Sequence, residues 1–111
     1  MARLTSEFWV SAWLRQAALD GLVAVLRRRG AAEAGAIFVK LDRLDGTAAL
    51  YGPAPQSLAQ EDGQRRFQLL VDADPVSIED RVERERRFDS DLWLVEIENR
   101  AGDPRIERVE S

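Results

Sequence analysis

Asp45 and Gly46 stand between two apolar segments, IFVKL and AALY, and an Asp-Gly pair in that setting is a strong signal for a two-residue β-hairpin loop. Around such a loop Leu44 faces Thr47, Asp42 faces Ala49, Leu41 faces Leu50 and Lys40 faces Tyr51. Side chains alternate along a strand, so Val39, Leu41 and Leu50 are expected on one face and Phe38, Lys40 and Tyr51 on the other. Pro53 and Pro55 end the second strand. A chain of 111 residues buries roughly two thirds of its unfolded surface, enough for one modest core. A single domain over residues 1–111 is therefore expected around this hairpin.

Upstream, residues 6–20 read as a helix that Ser6 can cap and Asp20-Gly21 can end. Val10, Trp13, Leu14 and Ala17 fall at helical spacing and make one apolar face, with Trp9 on its boundary. Phe8, Ala12 and Leu19 cluster on roughly the opposite side, flanked by Ser11, Arg15 and Gln16. At 100° per residue Phe8 and Leu19 lie at about 0° and 20°, while the main face spans about 140° to 240°. One stripe meets the core, and the second needs another part of the domain or a partner. The run LVAVLRR after Gly21 reads as a strand, with a continuation of the first helix to Gly30 as the alternative.

Residues 56–64 are polar and read as a loop with the highest mobility in the chain. Phe67, Leu69 and Val71 alternate with Gln68 and Leu70 as a strand, which Asp74-Pro75 breaks. Ser77 and Asp80 resemble a capping box for a helix over 77–88. Its narrow stripe of Ile78, Val82 and Phe88 implies a surface helix, helped slightly by Asp80/Arg84 and Glu83/Arg87 pairs. In DLWLVEIENR, Trp93, Val95 and Ile97 face one way and Leu92, Leu94, Glu96 and Glu98 the other; a polar tail, 99–111, follows. The order αββββαβ argues for an α+β fold with a largely antiparallel sheet, packed on one face by the N-terminal helix.

The side chains exclude much chemistry. Without Cys or His there is no zinc finger, Fe–S cluster, disulfide, Cys nucleophile or His-based triad, so no cofactor is expected and folding should need no metal. Lys and Arg number 16 and Asp and Glu 20, and the imbalance sits in residues 61–111, with 9 basic and 15 acidic groups. Such a chain is repelled on average by nucleic acid and by anionic lipid, so neither is an expected partner. No segment approaches the ~20 apolar residues of a membrane span, and the start lacks signal-peptide features, which favours the cytoplasm.

Four constellations are candidates for function. Glu96 and Glu98 project from one face of a strand about 6.5–7 Å apart, a spacing that suits acid/base work or Mg2+ and equally an ordinary wet strand face. Arg27, Arg28 and Arg29 beside Gly30 can bind a phosphate, extended by Arg65 and Arg66 if their strand is adjacent; a solvated strand end is the plainer account. Asp42, Arg43 and Asp45 surround the hairpin turn, where Asp45 is explained by the positive φ the turn needs. Of three Trp residues, Trp13 and Trp93 fit the core. The second stripe of the first helix, Phe8, Ala12, Arg15 and Leu19, has the aromatic and arginine content of an interface.

Three blocks, FWVSAWLRQA, AGAIFVKLDRLDGTAALYGPAP and DSDLWLVEIE, resemble the bacterial domain of unknown function 1491 family, in order and spacing. Family members tend to carry an acidic residue just after the Gly that follows the basic run; here that position is Ala31, with Glu33 two residues later. The resemblance implies a soluble bacterial protein and supplies no activity, substrate or catalytic residue. The residues themselves favour a non-enzymatic protein-interaction module, with a homo-oligomer as one form of it. The alternative is a small phosphate- or ligand-binding domain, or a metal-assisted enzyme using the Arg27–Arg29 run or the Glu96/Glu98 pair.

Overall fold

The computed structural model describes residues 4–55 and 64–109; the expected loop 56–64 falls almost wholly outside the described residues. Helix α1 spans Ser6–Leu19, followed by β1 Val23–Arg28, β2 Ile37–Asp42, β3 Ala48–Pro53, β4 Phe67–Ala73, α2 Pro75–Phe88 and β5 Trp93–Glu98. The predicted order αββββαβ is the order found. The strands form one sheet in the order β1-β5-β2-β3-β4. Every neighbouring pair is antiparallel except β2 and β5, which run parallel. A parallel neighbour needs a crossover, and α2 supplies it by carrying the chain from β4 to β5.

Thr5, not Ser6, caps α1: its Oγ1 accepts a hydrogen bond from the Phe8 amide at 3.2 Å. Ser6 lies one residue inside the helix, buried, and donates its hydroxyl to the Gly35 carbonyl at 2.6 Å. The helix ends where Gly21 turns to φ 76°, so the run beyond it is strand and the helical alternative falls. Val10, Trp13 and Ala17 pack as expected on one sheet face, against Ile37, Val39, Tyr51, Trp93, Val95 and Ile97 among others. Trp13 and Trp93 each donate an indole N–H to a backbone carbonyl, of Arg105 and Ala31 respectively, which removes the cost of burying that group.

The hairpin forms one register away from expectation. Its loop has three residues, Leu44, Asp45 and Gly46, and the pairs are Asp42 with Ala48, Leu41 with Ala49, Lys40 with Leu50 and Val39 with Tyr51. The positive φ values fall on Leu44 and Gly46 rather than on Asp45. Asp42 accepts the Leu44 amide and Asp45 accepts both the amide and the hydroxyl of Thr47, so carboxylates hold the turn on both sides. A one-residue slip sends each side chain of the partner strand to the other face. Tyr51 therefore joins Val39 and Leu41 under α1, while Leu50 lies with Phe38 and Lys40 under α2. A bulge at Leu50/Tyr51 likewise breaks the alternation of β4, leaving Phe67 under α1 and Val71 under α2.

Asp74 caps α2 through the Ser77 amide and hydroxyl, with Pro75 in the first turn, so the helix begins before the Ser77/Asp80 signal. The helix covers the second sheet face. Ile78 is fully buried among Phe38, Ala48, Leu50, Leu92 and Leu94, and Val82 packs beside it. Phe88 leaves the stripe and is 90% exposed, because ten residues past Ile78 it is rotated by about 80° at 100° per residue. Glu83 takes Arg86, and Arg81 pairs with Glu85, in place of the expected partners.

Polar as it is, the segment after β5 is held throughout its described length. Asn99 donates its amide to Asp42, Pro104 is fully buried and Ile106 packs against the α1 core. Arg108 then bridges Phe67 in parallel, with Phe67 N–H to Glu107 O and Val109 N–H to Phe67 O both at 2.9 Å.

Gly30 marks the tightest backbone approach. A Cβ there would collide with the Asp91 carbonyl oxygen and lie 2.6 Å from the Leu92 carbonyl carbon. Gly30→Ala should therefore cost about 3 kcal/mol or more of stability, because the clash is with backbone that cannot swing aside. Gly21→Ala, strained in φ but meeting open space, should cost about 1–2 kcal/mol. Urea denaturation of the two variants checks the order; equal losses would contradict it.

Candidate functional site

Two surfaces collect the functional candidates, one on each side of the sheet. On the α2 side, four charges from four elements converge. Arg27 of β1 grips Glu79 of α2 with two 2.8 Å hydrogen bonds and reaches Glu96 of β5 at 3.0 Å. Lys40 of β2, nearly buried, donates to Glu79 at 2.8 Å and lies 3.7 Å from Glu96. The forked hydrogen bonds from Arg27, then the one from Lys40, hold the Glu79 carboxyl down at about 2 against the opposing effect of desolvation. The Arg27 guanidinium is pushed up, first by its hydrogen bonds to Glu79.

Two positive and two negative groups cancel here. Glu96 is thus engaged by Arg27 and Lys40. The three arginines diverge: Arg28 donates to the Ser90 carbonyl at 2.7 Å, and Arg29 pairs with Glu7 at 2.7 Å while lying 5.3 Å over the Trp93 ring. Arg65 lies at the opposite edge of the sheet from β1, near the start of α1, where it donates to the Leu4 carbonyl and to Ser6. Arg27 and Arg28 thus turn to different partners, whereas Arg29 and Arg65 both reach the first turn of α1, through Glu7 and Ser6. Arg43 pairs with Asp72 of β4 at 2.7 Å, bracing the hairpin. Among the described residues no group of three or more acidic side chains is placed to hold a metal ion.

On the α1 side, the helix and the segment 103–107 enclose an open groove of about 590 Å3. Trp9, Ala12, Trp13 and Ile106 give it an apolar lining, and Gln16, Asp20, Arg105 and Glu107 are among its polar groups. Trp9 stacks on Trp13 with ring centroids 6.1 Å apart and tilts against Phe67 at 5.3 Å. Arg105 pairs with Asp20 at 2.8 Å, tying the segment to the C-terminal end of α1. Beside the groove runs the outer ridge of α1. Phe8 is 61% exposed and Leu19 74%, with Ala12 and Arg15 exposed between them and Leu4 half exposed before them.

The ridge was legible from helical spacing. The groove was not, because its second wall comes from polar residues far along the chain. Ala12 lines the groove and also belongs to the ridge, so the two form one continuous surface.

The fold recurs in solved structures. A family model described as protein of unknown function (DUF1491) matches residues 4–107. The chain belongs to the DUF1491 family. Its fold is similar to the solution structure of a protein from A. tumefaciens, with 44% identity, a TM-score of 0.83 and coverage of 98% of this chain and 97% of that one. A crystal structure of a DUF1491 family protein from Caulobacter crescentus is 34% identical, TM-score 0.80, covering 96% of this chain and 98% of that one. An NMR structure of a Caulobacter crescentus family member is 38% identical, TM-score 0.81, with all of both chains covered. No curated protein sequence matches the chain. Among the described residues of this DUF1491 member, no helix is long and apolar enough to cross a membrane.

The charge cluster predicts an acid limb of stability. Glu79 is held near 2 in the folded chain against an ordinary 4.5, so its contribution is complete above about pH 4.5 and is lost as the pH falls from there towards 2. Glu79→Gln should lower stability at neutral pH by about 1–3 kcal/mol, between the values for exposed and buried pairs, and should flatten this limb. Urea midpoints at pH 7, 4 and 3 for both proteins measure it; parallel pH profiles would exclude Glu79 as the source.

Proposed function

We propose that this DUF1491 protein is a non-enzymatic, cytoplasmic protein-interaction module whose contact surface is the α1 ridge with its adjoining groove. The observation that carries the reading is the exposure of Phe8 and Leu19 on one line of a helix whose other face is fully engaged in the core. Burying a Phe or Leu side chain is worth about 1.5–3 kcal/mol, and the fold forgoes that gain at both positions. The adjacent groove offers aromatic walls of the kind enriched at contact hot spots. Val23 and Val25, 58% and 47% exposed on the free edge strand β1, alternate with Arg27 and so lie on the α2 side of the sheet, away from this surface.

The phosphate-binding or metal-assisted alternative has less support. Its best residues, Arg27 and Glu96, neutralise each other and Glu79. The groove is large enough for a small ligand, but its Arg105 is already satisfied by Asp20.

Site-specific photo-crosslinking in the source bacterium tests the reading. A benzophenone side chain at position 8 or 19 should give covalent adducts, whereas one at Phe88, which is more exposed, should give few. Equal labelling at all three positions, or none at 8 and 19, would overturn the module.

A further inference from the structure

The ridge and the groove lie side by side on one face of the chain, and that placement says what kind of partner fits. A two-fold axis across α1 brings the ridge of each copy against the groove of the other, so a single patch complements itself. With the two helices antiparallel and Phe8 opposite Leu19, Arg15 stands across from Ala12, which lines the groove. Apolar matching is accompanied by charge matching. Arg15 is exposed on the ridge and Glu107 is exposed on the groove wall, and neither forms an ion pair with any described residue.

We propose that the occupant of the groove is a second copy of this chain, in an antiparallel α1–α1 dimer in which Phe8 and Leu19 of each copy enter the other's groove and Arg15 of each meets Glu107 of the other. The proposal rests on the interaction-module reading and narrows it to self-association. Each groove is walled by Trp9 and Trp13 at one end and by Gln16 and Ala17 towards the other, so in this register the incoming Leu19 meets Trp9 and the incoming Phe8 enters at the Ala17 end. Trp13 is fixed by its 3.0 Å hydrogen bond to the Arg105 carbonyl, and the 103–107 wall is fixed by the Asp20–Arg105 ion pair. Both walls are thus ordered before any partner arrives, which lowers the entropic cost of docking. A unit of α1 and one short segment makes a small interface, so dimerisation is expected in the micromolar range.

Sedimentation equilibrium of the purified full chain, up to about 200 µM, gives the first readout. The expected mass is twice 12.5 kDa. The double variant Phe8→Ser, Leu19→Ser should sediment as a monomer with unchanged circular dichroism, and Phe88→Ser should remain dimeric. Arg15→Glu alone and Glu107→Arg alone should each raise the dissociation constant about tenfold, since reversal turns two symmetric attractions into repulsions. The two changes combined should return it to within about threefold of wild type, a rescue that depends on pairing across the interface and not on the fold of either copy.

A wild-type monomer at the highest concentration overturns the dimer. A dimer whose charge-swapped double variant shows no rescue overturns the ridge-in-groove arrangement. If the purified chain is monomeric while position 8 crosslinks a different protein in cells, self-association falls and the interaction module stands; if position 8 crosslinks nothing, both fall.

Discussion

The parallel pairing of β5 with β2 is the constraint around which the other elements arrange themselves. β5 is hydrogen-bonded on both sides, to β2 and β1, and its residues alternate between two covered faces. Trp93, Val95 and Ile97 face α1, and Leu94 faces α2. A strand buried on both faces demands a layer on each, which a single helix cannot provide. The crossover that makes the parallel pairing possible also delivers the second layer. The connection and the cover are the same helix.

The two layers are held by different physics. α1 contributes Val10, Trp13 and Ala17 to the larger cluster and fixes Trp13 at its indole nitrogen. α2 has only Ile78 and Val82 to bury, and an amphipathic face that thin would hold a helix weakly. Glu79 adds the missing attachment by engaging Arg27 and Lys40 from two strands that do not touch each other. Because Lys40 is nearly buried, its ammonium needs that carboxylate, and the pairing fixes where the helix sits more firmly than it stabilises the fold.

Much of this was readable along the chain, and the failures have local causes. Element order, the sidedness of β5 and the exposed line of Phe8, Ala12, Arg15 and Leu19 follow from periodicity, which burial enforces directly. The hairpin register did not, because a three-residue loop puts Leu44 at positive φ, a conformation its own side chain disfavours and Asp42 and Asp45 compensate from either side. That one residue exchanged Leu50 and Tyr51 between faces. The groove and the four-charge cluster were invisible for another reason: each joins residues of distant segments, and polar side chains carry no periodic signature of what they will meet. Lys40, in particular, looks like an ordinary exposed strand residue until α2 folds over it.

The pairing of β1 with β5 has a consequence for how the chain comes into being. Val23 lies opposite Glu98 and Leu26 opposite Val95, and β1 has no other strand neighbour. As the polypeptide leaves the ribosome, β1 must stay unpaired until β5 has followed it out, while the β2–β3 hairpin can close at once. The sheet therefore grows from its middle outwards and is completed late, with the entropy of long-range closure falling on its last step. During that interval the valines of β1 are the apolar edge most in need of shielding, and chaperone dependence should be read at this strand first.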